Sequence, residues 1–376
     1  MRLLFSLAVL AAAVAAAPAP LPVPVPMPAT TPVEGESQGQ CTSENALVRK
    51  EWSTLTTDEQ QGYIDALWCL RGKPSVLSSD QYPGVKDRVD DFVATHINYT
   101  MVIHRNGVLL PWHRHYVYLW ETALREECGY KGTVPYWNWS LNSTLTINPI
   151  FDTSSSTSLS LSGTGTYNET EQSLRGPEVN VLPPEPGGGC VLDGPFKDWP
   201  VNMGPFAPEE VYPYAPLPAH SFAYNPRCLQ RNLQSATIER FNNEKVVASL
   251  QNSDSIATFL NLLDHVDGSL GAHGGGHVSV GPTMADGFAS PQDPVFMLHH
   301  GMIDRLWSSW QRDGRVSAEV QGERLKELNG TAVYWDPSTA PLVTLDSVME
   351  FGPLDVPRRI GEVMDVTGGE YCYRYE

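Results

Sequence analysis

Eight of the ten histidines in this 376-residue chain fall into two clusters, and any fold it adopts must bring the members of each cluster together. The first holds His96, His104, His113 and His115; the second holds His273, His277, His299 and His300. His220 and His265 stand apart. His273 and His277 are four apart, so on a helix they share one face about one turn, roughly 6 Å, from each other. Both imidazoles can then reach one metal ion. A further helix is expected over residues 294–312, and of its adjacent His299 and His300 only one can readily face the same way. Gly274, Gly275 and Gly276 stand between the first pair, and glycine is a poor helix former. Either the surrounding structure enforces the turn, or something approaches so closely that only small residues fit.

In the first cluster, His96 falls near the end of an expected helix over 85–95. His104 lies on the following segment, and His113 on a helix expected over 112–128 with Pro111 in its first turn. His113 and His115 are two apart and cannot both point inward. With His115 set aside, each cluster offers three neutral nitrogen donors. Ligand type then narrows the metal. Imidazoles with no recognisable carboxylate or thiolate ligand suit copper, and are acceptable to zinc and iron. Binuclear hydrolytic zinc sites usually share a carboxylate, and no H-E-x-x-H pattern is present. Non-haem iron would want two histidines and a carboxylate. Two adjacent coppers can deliver two electrons together to O2, which favours copper, while spacing alone leaves zinc open.

The remaining sequence reads as one mainly α domain with long loops. Helical periodicity is expected over 46–69, with Thr57 as N-cap, and over 256–263. Residues 150–230 are rich in Ser, Gly and Pro without sustained periodicity, as surface loops over a helical core are. Short β segments are expected at 332–335 and 370–375. Residues 1–17, with Arg2 before an apolar run and then small alanines, read as a signal peptide. Residues 18–40 alternate proline with small residues and read as a tail or propeptide. The folded domain is then 41–376.

Six cysteines follow the leader: Cys41, Cys69, Cys128, Cys190, Cys228 and Cys372. An even count without a CxxC in an exported chain points to three disulfides, with fifteen pairings open on arithmetic alone. Joining Cys41 to Cys372 would tie the ends of the domain. The formal net charge of −18 argues against nucleic acid and anionic membranes as partners. Small molecules are the expected partners, and a monomer the expected state. Sequons at Asn98, Asn142, Asn168 and Asn329 agree with an extracellular protein, Asn168 in a polar loop above all; that at Asn138 lies in an aromatic run where burial would block a glycan.

Two long runs carry a resemblance. Leu110-Pro111-Trp112-His113-Arg114-His115-Tyr116 resembles the first-copper signature of tyrosinases and related type-3 copper proteins. The run from Asp293-Pro294-Val295-Phe296 through His299-His300 to Asp304-Arg305-Leu306-Trp307 resembles their second-copper signature. Weaker echoes are Arg49-Lys50-Glu51-Trp52, Pro135-Tyr136-Trp137-Asn138-Trp139 and Tyr371-Cys372-Tyr373, so the likeness spans about 41–376. It implies a four-helix bundle enclosing a dicopper centre. His96, His104 and His113 would hold one copper; His273, His277 and His300 would hold the other. His299 would stand behind the ligands, and Asp304 would fix a ligand or Arg305. The implied reaction is oxidation of o-diphenols, and of substituted phenols, to o-quinones with O2 as co-substrate; an oxygen carrier uses the same ligand set.

Departures from the family pattern refine the expectation. Val102 stands where some fungal members carry a cysteine bonded to the second ligand histidine, so no thioether is expected. The chain ends three residues after Tyr373, so the capping lid of longer members is not expected. Gly274 stands where efficient phenol hydroxylators often have Asn, which implies weak or no monophenol hydroxylation. Asp264 is the nearest match to the family's water-orienting acid. Gly274, Val278 and Gly287 are expected to border the substrate ring, Gly287 where relatives place a bulky gate.

Overall fold

A computed structural model of the protein describes residues 41–152, 159, 189–206, 217–264, 270–332 and 340–376. The expected leader, the Pro-rich tail, the Asn168 sequon and most of the 332–335 β segment lie outside the described residues. The first strand, β1 (Leu47–Arg49), precedes α1 (Thr57–Arg71). The helix starts later than periodicity suggested because a capping box sets it: Thr56, not Thr57, accepts from the Glu59 amide, and Glu59 reaches back to Thr56. Next come α2 (Arg88–Ile103) and α3 (Leu109–Cys128). Asp87 caps α2 by accepting from the Val89 and Asp90 amides, and Gly129 closes α3 in the left-handed region at φ 69°.

Loops and the short antiparallel pair β2 (Pro200–Val201) and β3 (Arg227–Cys228) lead to α4 (Ser235–Phe241), α5 (Glu244–Gln251) and α6 (Ile256–Asp264). Then come α7 (Ala272–Val280), the single turn α8 (Pro282–Ala285), α9 (Val295–Gln311) and α10 (Ala318–Arg324). The chain closes with β4 (Val348–Met349), β5 (Arg358–Arg359) and β6 (Tyr373–Tyr375). β6 lies parallel to β1, Leu47 opposite Tyr373, so the two ends of the domain form one seam.

The fold is a helical bundle of the expected kind. α3 packs on α9 and α2, and α7 packs on α9 and α4. A large core runs through it, with Trp112, Trp137, Trp139, Trp307 and Trp310 fully buried, and a second, smaller cluster includes Val93, Ile97, Phe206 and Phe288. The cysteines pair as Cys41–Cys372, Cys69–Cys128 and Cys190–Cys228, so the end-to-end disulfide expected from the sequence is present. No helix among the described residues is long and apolar enough to cross a membrane.

Candidate metal centre

α2 runs a full two turns beyond the expected end at 95, so His96 sits mid-helix and not near its terminus. The helix stops where His104 turns extended (φ −123°, ψ 150°) and Arg105 takes a left-handed φ of 51°. That turn leaves His104 beside its own helix, where its Nδ1–H donates to the Thr100 carbonyl at 3.0 Å. His113 likewise donates from Nδ1 to the Leu109 carbonyl, four residues back, at 2.8 Å. His96 donates to the Phe288 carbonyl at 2.7 Å. A carbonyl only accepts, so in all three rings the proton sits on Nδ1 and Nε2 is left as a bare lone pair. The three rings lie 5.0 to 5.7 Å apart, centre to centre.

α7 forms despite its glycines, and two of them explain why they are there. A Cβ at Gly275 would lie 2.5 Å from the Phe241 Cβ, and one at Gly276 would lie 2.1 Å from the His299 ring. Close approach by α4 and α9 demands glycine at both positions, so neither is open space for a substrate. On the other face of α7, His273 donates from Nδ1 to Asp264 Oδ1 at 2.9 Å and His277 to the Met284 carbonyl at 2.8 Å. Their Nε2 atoms are 3.1 Å apart, and His300 Nε2 is 3.3 Å from that of His277. The Met284 carbonyl only accepts and burial holds the His277 ring neutral, so its proton sits on Nδ1 and its Nε2 has no hydrogen to give. The Nε2 atoms of His273 and His300 crowd that bare nitrogen as ligands of one cation would.

The residues fit a metal ion. His96 Nε2 and His113 Nε2 are buried without a hydrogen-bond partner, an arrangement native interiors rarely tolerate unless something else supplies the positive charge. Burial and then neighbouring imidazoles push His96, His113, His277 and His300 well below the usual histidine value, and His104 down to about 4. The rings are therefore neutral at ordinary pH, the state a ligand needs. The two triads adjoin, with His113 stacked on His300 at 4.3 Å.

His299 lies within the same buried group but is differently used. Its Nδ1 accepts from the Trp139 indole N–H at 3.1 Å, which puts its proton on Nε2 and leaves no lone pair for a metal. His115 is also accounted for: its ring lies between the Tyr371 hydroxyl and Asp355 Oδ2, away from the triads.

Two carboxylates were singled out by the sequence. Asp264, expected to orient a water, accepts from His273 Nδ1–H and from the Arg105 amide at 3.0 Å. It sets a ligand's tautomer, in the manner of carboxylate–histidine pairs at metals. Burial alone would raise its pKa, but His273 and Arg105 hold the carboxyl below the usual range. Asp304 touches neither a ligand histidine nor Arg305. Its carboxylate accepts from Arg114 and Arg49 and from the Tyr373 and Tyr375 hydroxyls, because its place on α9 faces the seam of the chain's ends.

His104 and His277 are half-buried, while the other four rings lie deep. Gly274 is half-buried with its missing Cβ facing the flexible end of Leu270; Val278 is buried and Gly287 is exposed. Of the sequons, Asn329 is exposed, Asn98 and Asn142 half-buried. Sequence reasoning missed the Phe288 and Met284 carbonyls, which hold ligand rings, and Trp139, which holds His299. Main-chain acceptors leave no residue-type signal; the indole at 139 stood in a quoted aromatic run and could have been paired with His299.

A helical bundle that brings two groups of three imidazoles side by side is the frame of a binuclear, histidine-only metal protein. The pattern of the common central domain of tyrosinase matches residues 86–313, and the chain belongs to the tyrosinase family. It is an oxidase of that family, whose fold implies a type-3 dicopper site. It is similar to an N-acetyl-6-hydroxytryptophan oxidase of Emericella nidulans, at 62% identity over 90% of this chain and 94% of that one. Tyrosinase P of Aspergillus terreus is 48% identical over 87% and 91%. A polyphenol oxidase structure from Thermothelomyces thermophila superposes with a TM-score of 0.80, at 34% identity and 90% coverage of each chain.

Proposed function

We propose that this chain is an exported dicopper oxidase that converts electron-rich hydroxylated aromatics, o-diphenols in the first place, to quinones with O2. His96, His104 and His113 hold one copper; His273, His277 and His300 hold the other. The observation that carries this reading is the convergence of Nε2 lone pairs whose Nδ1 protons are all committed elsewhere, in five of the six rings. Copper supplies O2 binding and the two-electron exchange. The protein keeps the imidazoles neutral, fixes their direction and excludes water from the four deep rings. Three disulfides suit an oxidising compartment.

The substrate ring approaches between the half-buried His104 and His277, with Gly274 and Gly287 at the rim. Gly274 has no side chain to orient a simple phenol or the base that would deprotonate it, so monophenol hydroxylation is weak. A hydroxyindole is a second substrate reading, favoured by the 62% identity to the Emericella oxidase. Such a ring, like a catechol, is rich enough in electrons to be oxidised without prior insertion of oxygen.

Copper analysis, with oxygen uptake on catechol, N-acetyl-6-hydroxytryptophan and tyrosine side by side, tests the proposal. Two coppers per chain are expected, with prompt uptake on at least one of the first two substrates and slow uptake on tyrosine. Reversible oxygenation with no product from any of them would sink it. Fast, lag-free turnover of tyrosine would remove the Gly274 argument alone.

A further inference from the structure

Two main-chain carbonyls four residues apart, those of Met284 and Phe288, hold one histidine from each triad. Between them sits Asp286, buried, directly after α8. Its Oδ1 accepts from the Phe288 and Ala289 amides, both at 2.9 Å, and its Oδ2 accepts from the Phe206 amide at 3.0 Å. Its own carbonyl accepts from the Ser290 amide at 3.0 Å. The Phe206 ring stacks on Phe288 at 4.6 Å, so the segment is pinned from outside as well.

From this geometry we infer that Asp286 is a positioning residue shared by both halves of the metal centre. The inference rests on the dicopper reading above. Hydrogen bonds from amides to a carboxylate are the strong kind, and here they fix the turn that aims the Phe288 carbonyl. The same residue ends the helical turn that aims the Met284 carbonyl at His277. His96 and His277 keep their protons on Nδ1, and so present bare Nε2 atoms, only while both carbonyls hold their directions. Turning this one segment releases a ring in each triad. Asp264 gives the contrast, because it touches His273 alone among the ligands.

The test begins on metal-free protein labelled with 15N-histidine, where two-bond 1H–15N correlations report which ring nitrogen carries the proton. In the natural sequence His96 and His277 are both protonated on Nδ1. Asp286→Ala shifts both away from that form, whereas Asp264→Asn shifts only His273. Titration with copper(I) against a chromophoric chelator then gives two coppers for the natural chain and about 10–100-fold weaker binding of both for Asp286→Ala. Leu67→Ala, which opens the buried core at α1 far from this segment, keeps both coppers at full affinity and separates positioning from general instability. Should Asp286→Ala not fold, Asp286→Asn replaces it. The amide still accepts from Phe288 and Ala289 but sets an NH2 against the Phe206 amide, and a smaller shift in the same two rings is expected. Unchanged tautomers of His96 and His277, or loss of one copper only, would overturn the inference. Fewer than two coppers on the natural chain would overturn the dicopper reading and this inference with it.

Discussion

The metal centre and the seam that joins the chain's two ends are built on the same pair of helices, α3 and α9. Adjacent residues of α3, His113 and Arg114, serve one each, and so do His300 and Asp304 of α9. Both regions bury polar groups, yet they satisfy them in opposite ways. In the seam, Asp304 accepts from Arg114 Nε at 2.5 Å, from Tyr373 at 2.7 Å, from Tyr375 at 2.6 Å and more loosely from Arg49. Arg114 also reaches Gln311 and the Met364 carbonyl. Burial would raise the Asp304 carboxyl, but Arg114 and Arg49 hold it below its ordinary value. Charges there close within the chain. In the centre, acceptors face acceptors, and closure needs something the chain does not contain. The seam pairs its charges, leaving N–H groups of Arg49 and Gln311 over, and serves stability; the centre leaves bare acceptors that a cation would complete, and marks the chemistry.

Mutations at the two places should therefore part company. His300→Ala is expected to remove one copper and cut oxygen uptake by about 10³-fold or more, with little change in the urea midpoint of the metal-free protein. His299→Ala should keep both coppers; loss of either would return His299 to the ligand set. Asp304→Asn is expected to do the reverse, costing roughly 3–5 kcal/mol by leaving buried guanidinium charge uncompensated. A urea melt of the metal-free chain reads it, and an unchanged midpoint would refute the division of labour.

Smaller effects sharpen the same contrast. Gly276→Ala drives a methyl into the His299 ring, and overpacking of this kind costs about 1–3 kcal/mol. Because the crowding is at the centre, it should weaken copper retention as well as lower the thermal midpoint. Gly274→Ala meets only the movable end of Leu270 and should cost less.

A comparable effect, confined to low pH, is expected in the seam's outer part. Burial would raise the Asp355 carboxyl, but His115 and Arg358 bring it down to about 2. A carboxyl lowered on folding contributes stability above its unfolded value, near 4, and loses it as pH falls through the folded value. On the order of 2 kcal/mol should disappear between about pH 4 and pH 2, and Asp355→Asn should flatten that part of the stability curve. A curve unchanged by the substitution would remove Asp355 from the account.

Much of this was legible in the residues. Histidine spacing gave two clusters, set His115 aside and placed His273 with His277 on one helical face. Cysteines at the ends of the domain suggested the disulfide that is found. The five expected helices are present, α6 and α9 within a residue of their limits, while α4, α5 and α10 were not expected. The limits of α1 and α2 differ because they follow capping: Thr56 with Glu59, and Asp87 ahead of α2, are side-chain contacts that periodicity does not report. Asp264 and Asp304 were noticed as carboxylates near ligands, but their partners, His273 with Arg105 and Arg114 with two C-terminal tyrosines, come from distant segments.

What the sequence determined by itself is the donor set and the helices that carry it, since residue type and spacing of 3.6 per turn act locally. Even two of the Nδ1 acceptors, Thr100 for His104 and Leu109 for His113, lie within one turn of their histidine. Tertiary structure alone decided which of His299 and His300 presents a lone pair, because that depends on an indole at position 139. It also decided that Met284 and Phe288 hold one ring of each triad. Main-chain carbonyls are chemically alike at every position, and only the folded chain gives them a direction.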